Sequence, residues 1–139
     1  MLAHSAYHEA SIAAGHICGA KNTRKSEDFI PRIVFTHPQV AGFGPTEDHL
    51  KSVGIEYEIK KEFFKANAKA IIHQDSAGFI KLLFEKETHK LISASIIGPN
   101  ATELIHELAL AIENQLTLND LQKTVHAHPT LVEIIWDSL

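Results

Sequence analysis

Residues 78–97 constrain the fold more than any other part of the chain. Gly78 to Glu85 and Lys90 to Ile97 are two strand-like runs separated only by Lys86-Glu87-Thr88-His89, and a connection that short joins neighbouring strands as an antiparallel hairpin. Gly98-Pro99 ends the second run. Asn100 follows as a helix cap with Glu103 placed for a capping box, and Leu104, Ile105, Leu108, Ala109, Ile112 and Leu116 form one apolar stripe. A two-stranded unit with a helix directly behind it buries its apolar surface by laying the helix on the sheet.

The remaining segments extend that plan. Pro31 to Thr36, rich in β-branched residues and ended by His37-Pro38, predicts a strand. Gly42-Phe43-Gly44-Pro45 predicts a turn, Thr46 caps a short helix with Glu47 and Asp48 in its first turn, and Gly54 ends it. Ile55, Tyr57 and Ile59 alternate with Glu56, Glu58 and Lys60, the period of a half-buried strand continuing to Phe63 and Phe64. Lys65 to Ala77 shows neither period and reads as a long connection. Thr117 caps a short helix through Leu121, and Pro129 opens a last helix carrying Leu131, Ile134, Ile135 and Leu139. The expected class is α+β, an antiparallel sheet of about four to five strands with helices near 100–116 and 130–139 packed on one face. Ahead of it, residues 2–18 form one helix stopped at Gly19, and Ala20 to Asp28 is a polar link, so residues 1–28 read as a terminal helix and linker and residues 29–139 as the domain.

Composition removes several functions. Thirteen Lys and Arg against 17 Asp and Glu leave a net charge of -4, the wrong sign for a nucleic-acid surface, so no nucleic-acid partner is expected. Apolar runs are far shorter than the roughly 20 residues of a membrane span, and no signal core follows Met1; a soluble, cytoplasmic protein is expected. One cysteine, Cys18, cannot make an internal disulfide, a redox pair or a thiolate zinc site. The clustered glycines, Gly42 and Gly44, precede Pro45, which lacks the amide a phosphate would use, so no nucleotide is expected on this chain by itself.

Ten histidines raise the question of metal. His4 and His8 share a helix face, and His126 and His128 flank Ala127, but neither pair has further ligands in sequence, and no metal is expected. His128 is better read with Glu133. Pro129 keeps His128 out of helical dihedrals, and a carboxylate about one turn into the helix can hold one ring nitrogen and leave the other as a base. From that pair alone a capping histidine beside a surface carboxylate is the favoured reading, because a His and a Glu at this spacing are common by chance. His126 has no carboxylate at comparable spacing and is expected to tolerate change better.

Five stretches, taken together, resemble one family. They are PRIVFTHPQVAGFG from Pro31 to Gly44 with Thr46-Glu47, NAKA from Asn67 to Ala70, GFIKL from Gly78 to Leu82, IGP followed by ATELI from Ile97 to Ile105, and HAHPTLVE from His126 to Glu133. In this order they resemble the carboxy-terminal dimerisation domain of the pyridine nucleotide-disulfide oxidoreductases, most closely the branch that oxidises dihydrolipoamide. The resemblance implies the FAD/NAD-linked reductase dimerisation-domain fold and a parent homodimer that uses FAD, NAD and a cysteine pair. It also implies that His128 is the base serving the partner subunit's active site, with Glu133 orienting it, and that Met1, Leu2, Ala3 and His4 lie near the flavin. Lipoyl domains of 2-oxoacid dehydrogenase complexes are the implied partners of the parent. The chain would then be a carboxy-terminal portion of a longer enzyme, redox-silent and free of cofactor by itself. Val132 and Trp136 depart from the family's usual residues, which leaves mercuric or glutathione reductase as alternative parents, and a purely non-catalytic dimerisation module as another.

Overall fold

The computed structural model describes residues 2–20 and 27–139; Met1 and most of the expected 20–28 link lie outside the described residues. Five strands, β1 (Arg32–Val34), β2 (Gln39–Phe43), β3 (Tyr57–Phe63), β4 (Phe79–Glu85) and β5 (Leu91–Gly98), form one antiparallel sheet in the order β1-β2-β5-β4-β3. The helices are α1 (Ala3–Ile17), α2 (Glu47–Ser52), α3 (Ala68–Ile72), α4 (Ala101–Glu113), α5 (Leu118–Gln122) and α6 (Glu133–Asp137). The expected α+β architecture and the β4-β5 hairpin are both present.

Directly opposed residues share a sheet face, so the register identifies the core. Ala41, Ile96 and Ile80 align across β2, β5 and β4, as do Phe43, Ala94 and Leu82. All six are buried, together with Ile105, Leu108, Ile134 and Ile135 from α4 and α6. The opposite face carries a second apolar row, in which Val34 opposes Val40, Val40 opposes Ile97, Ile97 opposes Phe79 and Phe79 opposes Phe63.

That register corrects the half-buried reading of β3. Glu58, Lys60 and Glu62 oppose the core residues Phe84, Leu82 and Ile80, so the apolar alternation of β3 lies on the sheet face away from the core, where Ile59 is 46% and Phe63 41% exposed. An edge strand follows its pairing and not its own hydrophobic side.

Four further expectations change. The turn expected at Gly42-Phe43 belongs to β2, and the chain bends only at Gly44, whose φ of +85° and 2.3 Å clearance from the Ile92 carbonyl to an added Cβ require glycine. Lys65 to Ala77 is not a bare connection: a 3₁₀ turn (Phe64–Ala66) leads into α3, which Asn67 caps by accepting from the Ala70 amide at 3.0 Å. Asn100 has φ +52° and makes no side-chain cap; Gln39 Oε1 accepts from the amide and hydroxyl of Thr102 in its place. Pro129 does not open the last helix, which begins at Glu133, and the His128-Pro129 peptide is cis. The caps expected at Thr46 and Thr117 are formed, the latter as a capping box with Asp120, whose carboxyl the Thr117 hydroxyl and amide lower to about 2.

Candidate functional site

The loop between α5 and α6 carries the strongest constellation. His128 Nδ1 lies 2.9 Å from Glu133 Oε1, while Glu133 Oε2 accepts from the Thr130 amide at 2.7 Å. Glu133 sits in the first turn of α6, where a carboxylate also meets the positive end of the backbone dipoles. The Thr130 amide, and then the His128 ring, hold its carboxyl below the ordinary value of 4.5. An ionised carboxylate only accepts, so the His128 proton between them sits on Nδ1 and is donated to Glu133. Nε2 is left bare. The His128 side chain is 72% exposed against 20% for Glu133, so the bare nitrogen stands in reach of a reactant while its orienting partner is sheltered.

The loop is fastened from β3's far end as well. Asn67, 2% exposed, caps α3 with its oxygen and donates its amide to the Thr130 carbonyl at 3.1 Å. The Thr130 hydroxyl donates to the Ala127 carbonyl at 2.7 Å. Neither the Asn67 cap nor its reach to a residue 63 positions away follows from the local sequence, which reads as a connection.

For His126 the fold supplies a partner that the local spacing lacks. It does have a carboxylate: Glu107 Oε1 of α4 lies 2.9 Å from its Nε2, and the ring is 7% exposed. Nothing in the local spacing could show this, because the partner comes from a different helix.

Of the residues expected near a flavin, Met1 lies outside the described residues, Leu2 and Ala3 are exposed, and His4 Nε2 lies 2.8 Å from the Pro31 carbonyl. His4 and His8 line a cleft of about 370 Å³ with Phe29, Pro31 and His106. Among the described residues no three His, Cys, Asp or Glu side chains are placed to hold a metal, and no helix is long and apolar enough to cross a membrane.

The depressed Glu133 value gives a signed pH prediction. A carboxyl lowered by folding stabilises the folded loop fully above 4.5 and loses that contribution as pH falls through its lower folded value. A carbon-detected titration of Glu133 is expected to place its midpoint below 4.5, with the Thr130 amide resonance moving in parallel. A midpoint at or above 4.5 would show the two bonds to be absent in solution.

Comparison with known proteins follows the same outline. Residues 30–139 match the family described as pyridine nucleotide-disulphide oxidoreductase, dimerisation domain. The dihydrolipoyl dehydrogenase of Haemophilus influenzae is 42% identical over 97% of this chain and 28% of its own length. A leghemoglobin reductase of Vigna unguiculata is 39% identical over 97% of this chain and 26% of its own length. The crystal structure of LpdA from Mycobacterium tuberculosis superimposes with a TM-score of 0.83 at 25% identity, covering 91% of this chain and 28% of that one. The chain thus spans little more than a quarter of the length of the relatives it matches.

Proposed function

The chain belongs to the pyridine nucleotide-disulphide oxidoreductase dimerisation-domain family, and from that premise we propose that it is the carboxy-terminal part of a cytoplasmic dihydrolipoamide-oxidising homodimer to which it contributes both the subunit contact and an acid-base pair. The observation that supports this most is the His128–Glu133 bond with its second anchor on the Thr130 amide. In this reading His128 Nε2 takes the proton from a thiol of dihydrolipoamide. The thiolate, which is the nucleophile, attacks one sulfur of a disulfide, forming a new sulfur–sulfur bond while the old one breaks and the second sulfur leaves as thiolate. His128 then holds the proton, and Glu133 stabilises the imidazolium without moving it.

FAD and NAD supply the electron acceptance in this family. In this reading Met1, Leu2, Ala3 and His4 would lie near the flavin, while the chain carries no glycine-rich phosphate loop to hold a dinucleotide and, with Cys18 as its one cysteine, no redox pair. Its own contribution is therefore binding, orientation and a proton. Lipoyl domains of 2-oxoacid dehydrogenase complexes are the partners proposed for the whole protein.

A chimaera tests the reading. With this chain in place of the matching portion of the Haemophilus influenzae relative, the protein is expected to sediment as a dimer and to reduce NAD with dihydrolipoamide. A folded, flavin-loaded chimaera that remains monomeric, or a dimer with no such turnover, would overturn it.

A further inference from the structure

The loop that presents His128 has little backbone support. Among the described residues, the amides from Val125 to Glu133 make no bond to a backbone carbonyl, so side chains set its path. Thr130 to Ala127 and Glu133 to His128 and Thr130 are bonds within the segment itself. Among the described residues, two side-chain bonds tie it to the rest of the fold: Asn67 to the Thr130 carbonyl, two residues after His128, and His126 to Glu107, two residues before it. Glu107 is a firm post, since its neighbours on α4, Ile105 and Leu108, are both 0% exposed.

The two His–Glu pairs are built in opposite senses. His126 Nε2 donates to Glu107, and its other nitrogen, Nδ1, is buried without any hydrogen-bond partner. A bare nitrogen sealed from solvent cannot reach a reactant. His128 keeps the inner nitrogen bonded and the outer one open. His126 and Glu133 also line one cleft of about 400 Å³ with Trp136 and Asp137, so one member of each pair faces the same space.

We propose that Glu107 and His126 are positioning residues: their part-buried hydrogen bond fixes the upstream side of the loop and thereby holds His128 against Glu133 in the tautomer that leaves Nε2 free. The functional meaning of this rests on the proposed base role of His128, but the geometry is separately measurable.

Long-range ¹⁵N–¹H spectra of the histidine-labelled chain read the tautomers without substrate or turnover. In the native chain His128 is expected in the Nδ1–H form and His126 in the Nε2–H form. Glu107→Ala is expected to abolish the locked Nδ1–H pattern of His128, leaving a tautomer average. Glu107→Gln retains a carbonyl acceptor for the His126 proton and is expected to preserve the pattern. A general loss of stability would lower the melting temperature of Glu107→Ala without changing the His128 tautomer in the folded population. Should Glu107→Ala not fold, His126→Phe fills the same space without the bond and is expected to give the same loss. An unchanged His128 pattern in folded Glu107→Ala or His126→Phe would overturn the proposal, as would loss of the pattern in folded Glu107→Gln. Either result removes the anchor and leaves the base role to be judged from turnover.

Discussion

Replacing His128 by glutamine in an enzyme that carries this chain is expected, on the proposed base role, to lower turnover with dihydrolipoamide by about 10² to 10⁴-fold, the range of a positioned general base. Glutamine can hydrogen-bond in the same space but cannot accept and return a proton near neutral pH. Glu133→Gln is expected to lose less, because its amide oxygen can still accept from the Thr130 amide or the His128 ring while the charge that favours the imidazolium is gone. The measurement is NAD reduction under saturating dihydrolipoamide, with sedimentation and circular dichroism confirming an unchanged dimer. His128→Gln retaining more than about a tenth of the native turnover falls below any general-base contribution and would reject the assignment.

His126 separates two kinds of information. Its neighbour His128 was readable as a base candidate because every part of the arrangement is local: a histidine, a proline that blocks helical dihedrals, and a carboxylate five positions on. Glu107 lies 19 positions from His126 on another element, and no periodicity reports such a pairing. The same division runs through the fold. The β4-β5 hairpin and α4 were legible because turn chemistry and an apolar stripe act over a few residues. β2 was not, since Gly42 and Gly44 carry the signature of a turn, and only pairing to β5 on one side and β1 on the other draws Gln39–Phe43 into the sheet. β3 was recognised as a half-buried strand, but the alternation by itself does not say which of its sides meets the core. Its period of two marks an extended chain, whereas the side that faces the core is decided by register with β4.

The junction between core and loop yields the second large effect. Phe64 is 0% exposed and belongs to the main core cluster, and its ring lies so close to Gly98 at the end of β5 that a Cβ there would meet ring carbons at 2.3 and 2.5 Å. Its amide donates to the Gly78 carbonyl and its carbonyl accepts from the Asn67 amide at 2.9 Å. Asn67 in turn holds Thr130. Truncating the ring in Phe64→Ala removes buried apolar surface and leaves a cavity that neighbouring backbone cannot fill, at a cost of about 3 to 5 kcal/mol. For a domain of this size that corresponds to a fall in melting temperature of roughly 10 to 20 °C. Urea denaturation of the chain reads the stability directly, and a loss under about 1 kcal/mol would show that Phe64 is not the anchor its burial implies. The loop should register the change before global unfolding: with Asn67 loosened, the Thr130 carbonyl loses its donor, so exchange protection of the Thr130 and Ala70 amides is expected to drop further in Phe64→Ala than that of the Leu82 and Ala94 amides in the central strands. Equal losses at all four positions would mean that the core and the His128 loop open as one unit, with no separate path from Phe64 through Asn67 to the site.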